Sequence, residues 1–312
     1  MNLIPFYTVI LALFLMLIVG FIGRKIGIIN DSASKALSAI VIKIGQPFMI
    51  ISAMLGVEFS YERLKGGLLV LGLGILFHAL IALIAYLAVF KFKSLEERKI
   101  TEFSIIFGNC GFIGFPLIQS ILGDEGLFYA GFFLISFNLF MWTWGIIVLA
   151  RGRDDIKISP KTMILNYGTI PCVLGILIYA LRIPMPEFVE ITASYLGGLC
   201  TPLSMLITGA LIGTVSLKEL FCDLKIYYTC FVKLIIAPVV VVLLTCGLGF
   251  NSFYIMFMAI VFAMPTATAT VMLAELYEIE KKRAAIVCGM CSLLSMLTMP
   301  AIMTILQIFF NN

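Results

Sequence analysis

Charge is scarce in this chain: only 12% of its 312 residues are Asp, Glu, Lys or Arg. Acid is scarcest where it would matter most. None of the 17 Asp and Glu residues falls deep inside an apolar stretch; Glu102, Glu190 and Glu275 come closest, each near an expected helix end. Histidine is represented by His78 alone. There is no HExxH zinc motif, no paired aspartate at membrane depth, and no serine in a nucleophile motif to partner that histidine. These absences argue against an intramembrane enzyme, whose chemistry needs such groups. They argue equally against sodium–proton exchange through paired aspartates and against a carboxylate proton relay. No soluble output domain or low-complexity tract is present, which argues against a sensor or scaffold. No catalytic residue, metal site or cofactor is expected.

What is abundant is apolar surface. The chain is 62% hydrophobic with a mean hydropathy of +1.13, far beyond what a soluble domain of this length needs. Membrane-length segments lie near residues 6–23, 33–55, 66–89, 101–122, 125–149, 161–181, 188–214, 226–248, 252–276 and 284–309, which predicts an all-α polytopic protein of ten transmembrane helices. The odd-to-even connections hold 16 of the 21 Lys and Arg residues, including Arg24, Lys25, Lys35, Lys157, Lys161, Lys218 and Lys281; the opposite side holds Arg63, Lys65 and Arg182. The positive-inside bias places the basic loops in the cytoplasm and both termini outside, in a cell (plasma) membrane. The net charge of +4 reflects these loops rather than a nucleic-acid surface. The first apolar segment lacks a basic n-region, and Arg24-Lys25 follows it, so it reads as a retained helix rather than a signal peptide. Eight cysteines fall mostly within spans; Cys288 and Cys291 form a CxxC, read as small buried residues and not as a metal or redox pair.

Residues 1–150 carry five predicted helices and residues 161–312 carry five more, joined by a short cytoplasmic linker at 151–160. An odd number per half makes the halves inverted repeats. Proline supports the pairing. Pro47 in helix 2 and Pro202 in helix 7 mark one equivalent pair of helix breaks, and Pro116 in helix 4 matches Pro265 in helix 9. A proline within a helix removes a donor and crowds the preceding turn. Broken backbone at membrane depth survives only where protein or a watery cavity receives the freed groups. Matched breaks in two halves are a pointer to a transporter's binding site.

The chemistry expected there is anionic. The deep ionisable residues are Lys43, His78 and Lys233, with no acid among them. The half-helices beginning around Pro116 and Pro265 present unpaired N–H groups and positive dipole ends, a ready anion site. Asn109, Asn138, Thr266 and Thr268 are candidate hydrogen-bonding side chains for the substrate, with polar contact between helices as the other reading of the two asparagines. Gly111 and Gly114 would allow an irregular backbone and close ligand approach, or tight helix packing. His78 and Lys233 are 155 residues apart, the same offset as Pro47 and Pro202, so they occupy equivalent places in helices 3 and 8. They support the crossover, with His78 available to couple protons, or else His78 packs and Lys233 snorkels about 11 Å to the surface. Lys43 carries the same pair of readings.

One stretch is recognisable. Asn109-Cys-Gly-Phe-Ile-Gly-Phe-Pro-Leu, followed by Leu122-Gly-Asp-Glu-Gly126, Asn138 and Trp142-Thr-Trp-Gly145, resembles the auxin efflux carrier family, which includes plant PIN carriers and bacterial malate permease-like proteins. Pro171 to Gly175, Thr201-Pro202-Leu, Ala263-Met-Pro265-Thr-Ala and Ser295 to Pro300 follow in the family's order, so the resemblance spans essentially the whole chain. It implies broken helices 4 and 9 crossing at mid-membrane and a scaffold of helices 1, 2, 6 and 7. It also implies a moving part of helices 3–5 and 8–10, elevator-type alternating access and a homodimer formed through the scaffold. The substrate it implies is a small organic anion, a carboxylate that is malate-like or auxin-like. The long regulatory loop of the plant carriers is here only the 151–160 linker. The alternative within transport is a sodium-coupled bile-acid-type symporter, which would need acidic ligands that the core lacks.

Overall fold

The computed structural model describes residues 4–55, 57–153, 165–216, 221 and 223–311. Most of the 151–160 linker, with Lys157, Lys161, the first residues of the expected sixth span and Lys218, lies outside the described residues. The described secondary structure is helical: α1 (Ile4–Lys25), α2 (Asp31–Ser52), α3 (Tyr61–Val89), α4 (Leu95–Ile106), α5 (Gly114–Ala150), α6 (Thr169–Ala180), α7 (Glu187–Ile212), α8 (Leu224–Gly247), α9 (Ser252–Ala263), α10 (Ala269–Leu276) and α11 (Lys281–Asn311). Seven of these are long and apolar enough to cross a membrane unaided: α1, α2, α3, α5, α7, α8 and α11.

Local chemistry sets where the helices start. A polar side chain caps the first turn of five of them. Asn30 Oδ1 accepts from the Ala33 amide, Ser60 Oγ from Glu62, Ser94 Oγ from Glu97, Asp223 Oδ1 from Lys225, and Asn251 Oδ1 from Tyr254, at 2.8–3.3 Å. Each cap satisfies an amide that the helix leaves unpaired. Ser94 moves one boundary. The hydropathy pattern put that span at 101–122, but its helix begins at Leu95 with Glu96 and Glu97 in the first turn. Glu102 is therefore not at a helix end. It lies inside α4, wholly buried, and the Arg151 guanidinium grips both its carboxylate oxygens.

Proline and glycine shape the interruptions. In α2 the backbone widens into a π turn over Val41–Gly45, and the Gln46 amide reaches the Val41 carbonyl just before Pro47. In α8 the same happens over Val232–Ile236, with Ala237 bonding to Val232 just before Pro238. A proline inside a helix clashes with the carbonyl four residues back, and the wider turn moves that carbonyl aside. Lys43 and Lys233 each sit within one of these turns. The helix carrying Pro202 is interrupted at Leu199. Within α5, Gly123 has φ of +63°, a left-handed conformation suited to glycine, so a short helix over residues 114–122 turns sharply into the long one that follows.

Pro116 is a correction to the expected break. The chain leaves helix after Ile106 and re-enters it at Gly114, so Pro116 occupies the first turn of α5. A first-turn residue donates no helical bond, so proline fits there without breaking anything.

Close approaches divide the helices into two packed groups. A Cβ on Gly20 of α1 would lie 2.2 Å from the Leu206 carbonyl of α7, and one on Gly209 of α7 would lie 1.9 Å from the Leu17 carbonyl. With Gly45 and Gly197 seating α2 on α7, this makes a group of α1, α2, α6 and α7. In the other group Gly67 and Gly74 of α3 receive Phe132 and Ser136 of α5, and α4, α8, α9, α10 and α11 pack around them.

Candidate functional site at the paired helix breaks

Two interrupted helices meet in the second group. Between α4 and α5 the chain runs extended through residues 107–109, and between α9 and α10 it bends at Met264, runs extended through residues 265–267 and turns at Thr268. The two stretches pair as an antiparallel bridge between Gly108 and Thr266. The Asn109 amide donates to the Pro265 carbonyl at 2.7 Å, and the Ala267 amide donates to the Phe107 carbonyl at 2.9 Å. Each break thus satisfies polar backbone groups of the other, which buried backbone requires. Side chains tie the junction further. Asn109 Nδ2 donates to Thr268 Oγ1 at 3.2 Å, Thr268 Oγ1 lies 3.2 Å from Thr208 Oγ1 of α7, and Thr266 Oγ1 donates to the Ser104 carbonyl at 3.1 Å. Thr201 of α7 donates to the Phe112 carbonyl at 3.1 Å.

A cavity of about 320 Å³ opens beside this bridge, between the two helix groups. From the breaks its wall takes Gly108, Asn109, Gly111, Phe112, Ala267, Thr268 and Ala269. From α2 it takes Ile42, Lys43, Gln46 and Met49, and further wall residues include Trp142 and Tyr167. Among the described residues, Lys43 is the single charged side chain of this wall. The volume suits a small organic molecule, and the mixture of apolar wall with a few converging polar groups is that of a ligand site.

Of the residues singled out from sequence, Asn109, Gly111, Thr268 and Lys43 therefore line one cavity. Gly114, Pro116, Asn138, Pro265 and Thr266 are not in its wall. Pro265 and Thr266 build the bridge instead. Asn138 Nδ2 donates to the Leu134 carbonyl at 2.8 Å, and its buried Oδ1 lacks a partner. It packs against Gly168 just before α6, where a Cβ would lie 2.2 Å from Oδ1. Neither Gly111 nor Gly114 has a positive φ, so their place in the break does not need glycine's conformational freedom. Gln46, Gly108, Trp142 and Tyr167 were missed as wall residues. Gln46 and Trp142 were within reach, being neighbours of Pro47 and part of the Trp142–Gly145 pattern; Gly108 and Tyr167 give no local signal.

His78 and Lys233 stand behind the junction. Lys233 is buried, with its Nζ 3.2 Å from where a Cβ on Gly108 would be. None of the ion pairs among the described residues includes it. His78 is buried too, its Nδ1–H donating to the Gly74 carbonyl at 2.7 Å. Its ring sits among Phe107, Phe133, Phe137, Phe140 and Phe262, at centroid distances of 5.3–6.4 Å. Phe107 directly follows α4 and Phe262 is the penultimate residue of α9, so the histidine packs against both chain segments where they enter the paired breaks. The CxxC cysteines are buried free thiols nearby, with Cys288 Sγ 3.7 Å from the Thr266 carbonyl.

A multi-pass helical bundle with a ligand-sized cavity walled by two mutually paired helix breaks is the design of a membrane transporter. Comparison with known proteins agrees. A family described as membrane transport protein matches residues 5–303. An uncharacterised transporter of Methanocaldococcus jannaschii is 27% identical over 290 residues, covering 90% of this chain and 92% of its own. An uncharacterised transporter of Methanothermobacter thermautotrophicus is 20% identical over 293 residues, covering 93% and 95% respectively. The chain belongs to this membrane transport family, that of the auxin efflux carriers. It is a transporter and not an enzyme.

Proposed function

We propose that this transporter is a secondary carrier for a small organic anion, a carboxylate of malate-like or auxin-like kind, bound in the cavity beside the paired breaks. The observation that carries this reading is the charge of the cavity wall: Lys43 is there and no described carboxylate is. Buried acid exists in the protein, but Glu102 is neutralised by Arg151 at a distance from the wall. Lys233, pressed against Gly108 with no acidic partner, adds a second positive charge behind the site. In a medium of low dielectric such cations favour an anion strongly. Asn109 and Thr268 supply neutral hydrogen bonds, and Trp142 and Phe137 an apolar wall for the body of the substrate.

The architecture that accompanies this reading is ten spans in two inverted repeats, residues 1–150 and 161–312, in the plasma membrane with both termini extracytoplasmic. The group of α1, α2, α6 and α7 is the scaffold and the dimer-forming part. The other group carries the breaks and moves in an elevator-like cycle. The position of the cavity between the two groups supports this assignment, because sliding one group past the other changes which side of the membrane it faces.

The test is transport itself. Proteoliposomes holding the purified protein are assayed for counterflow of L-malate and of indole-3-acetate, alongside a thermal-shift series of mono- and dicarboxylates, nucleobases and amino acids. Stabilisation by carboxylates is expected, and Lys43→Gln raises KM about tenfold while Lys43→Arg retains most of the activity. Stabilisation by cations alone, with no effective anion, would refute the reading.

A further inference from the structure

The central cavity has a larger neighbour. A cavity of about 880 Å³ opens at the basic end of the bundle, walled by α1, α2, α7, α10 and α11. The two cavities share Ile42 and Met272 as wall residues, so each touches the other across those two side chains. The outer cavity is lined by four cations, Arg24, Lys35, Lys281 and Lys282, against two acids, Asp31 and Glu278.

The acids are spoken for. Asp31 pairs with Arg24 at 2.6 Å, and Glu278 pairs with Lys281 at 3.2 Å. Lys35 is in none of the ion pairs among the described residues. Its position along α2 gives this meaning. Ser34, Lys35, Ser38, Ala39 and Ile42 face the outer cavity, while Ile42, Lys43 and Gln46 face the inner one. A single face of one helix therefore runs through both chambers. Lys35 stands at its entrance, and Lys43 stands two turns further on, about 12 Å along the axis.

We propose that the outer chamber is an access site for anions, with Lys35 as the cation that receives them before Lys43 does. This rests on the anion-carrier reading and deepens it: two lysines on one helix face make a stepped path from the basic end to the cavity at the breaks. A concave wall with unneutralised positive charge raises the local concentration of anions over bulk and speeds their entry, and the effect fades as salt screens it. Uncompensated charge on a loop would do little at the substrate site; uncompensated charge in the wall of the chamber adjoining that site sets its supply.

The test reads the chamber without needing the natural substrate. Ser38→Cys is labelled with a small fluorophore, and its quenching by iodide is compared with quenching by neutral acrylamide, using wild-type protein to correct for background labelling. Removing Lys35 with Lys35→Gln is expected to lower the iodide constant about twofold, leave acrylamide unchanged, and flatten the dependence of iodide quenching on ionic strength; Lys35→Arg keeps the wild-type ratio. An iodide-to-acrylamide ratio that is the same with and without Lys35 overturns the proposal. Malate counterflow separates this result from the reading beneath it. If Lys35→Gln changes the iodide ratio but the wild-type protein moves no carboxylate, the access site stands and the substrate assignment falls.

Discussion

The two helix breaks do one job with different chemistry. The first spans seven residues, 107–113, between Ile106 and Gly114, and relies on glycine and asparagine. The second spans five, 264–268, between Ala263 and Ala269, and relies on proline and threonine. In the first break the backbone comes within a side chain's width of its neighbours at Gly108. In the second, Pro265 lacks an amide to donate, so its carbonyl is what it contributes, accepting from Asn109. The longer break brings a cavity-lining amide side chain, Asn109, and the shorter one brings the hydroxyl that accepts from it, Thr268. Each break closes part of its backbone locally, as where the Ile113 amide donates to the Asn109 carbonyl and the Thr270 amide to the Ala267 carbonyl, while the Asn109 and Ala267 amides are satisfied across the bridge between Gly108 and Thr266. Damage to either should therefore register in the other.

The largest effect is expected at Gly108. An added methyl would lie 3.2 Å from Lys233 Nζ, 3.2 Å from Met264 Cβ and 3.4 Å from the Met264 carbonyl. Two of those three atoms belong to the second break, and Lys233 is buried and has little room to withdraw. Gly108→Ala should push the two strands apart. We expect a loss of about 1–3 kcal/mol in stability, read as a lower melting temperature in detergent, and a fall in uptake of at least about tenfold as the bridge loosens. Full uptake in this variant would mean that the strands need not stay paired during transport.

A smaller effect is expected from the bond that joins the breaks through side chains. Asn109→Ala and Thr268→Val each remove one partner of the 3.2 Å hydrogen bond. Each should cost about 1 kcal/mol, and the double variant should cost less than the sum because one bond cannot be lost twice. Thr208 provides the control, since it reaches Thr268 from α7 in the other helix group. If the elevator reading holds, that contact breaks during every cycle. Thr208→Val should then alter the rate of transport more than the binding of substrate. Additive losses for Asn109 and Thr268 would show that the asparagine acts on the ligand alone.

What could be read from sequence follows the range of each interaction. Helices α1, α3, α7 and α11 lie close to their apolar windows because a run of about twenty apolar residues is a local signal. The existence of both breaks was also legible, but the position of the first was not. Proline was the visible mark, and Pro116 sits in the first turn after the break, where its missing amide costs nothing. Asn109 was singled out from sequence as a candidate side chain, but that it and Gly108 open the break depends on partners about 160 positions away. Glu102 was misplaced for a related reason. Hydropathy starts the span at 101, while the Ser94 cap starts the helix earlier, and the partner that makes its burial tolerable, Arg151, is 49 residues distant. Lys43 was legible as a deep cation, yet its place in a cavity wall depends on the tertiary approach of α2 to the breaks.

The smallest effect is expected three residues beyond Gly108, at Gly111. Both glycines line the same cavity and belong to the same break. A Cβ on Gly111 would meet Met49 Cε at 3.4 Å and Leu134 Cδ2 at 3.9 Å, both flexible side-chain ends at ordinary contact distance. Its φ lies outside the left-handed region, so alanine carries no backbone strain there. Alanine should also lower the entropy of the unfolded chain, which offsets what little crowding remains. Gly111→Ala is expected to melt within about 0.5 kcal/mol of wild type and to transport with a near-normal maximal rate, the added methyl changing only the apparent affinity. The contrast with Gly108→Ala separates two roles: at one glycine the backbones of the two breaks approach each other, while at the other there is only open cavity bounded by flexible side-chain ends.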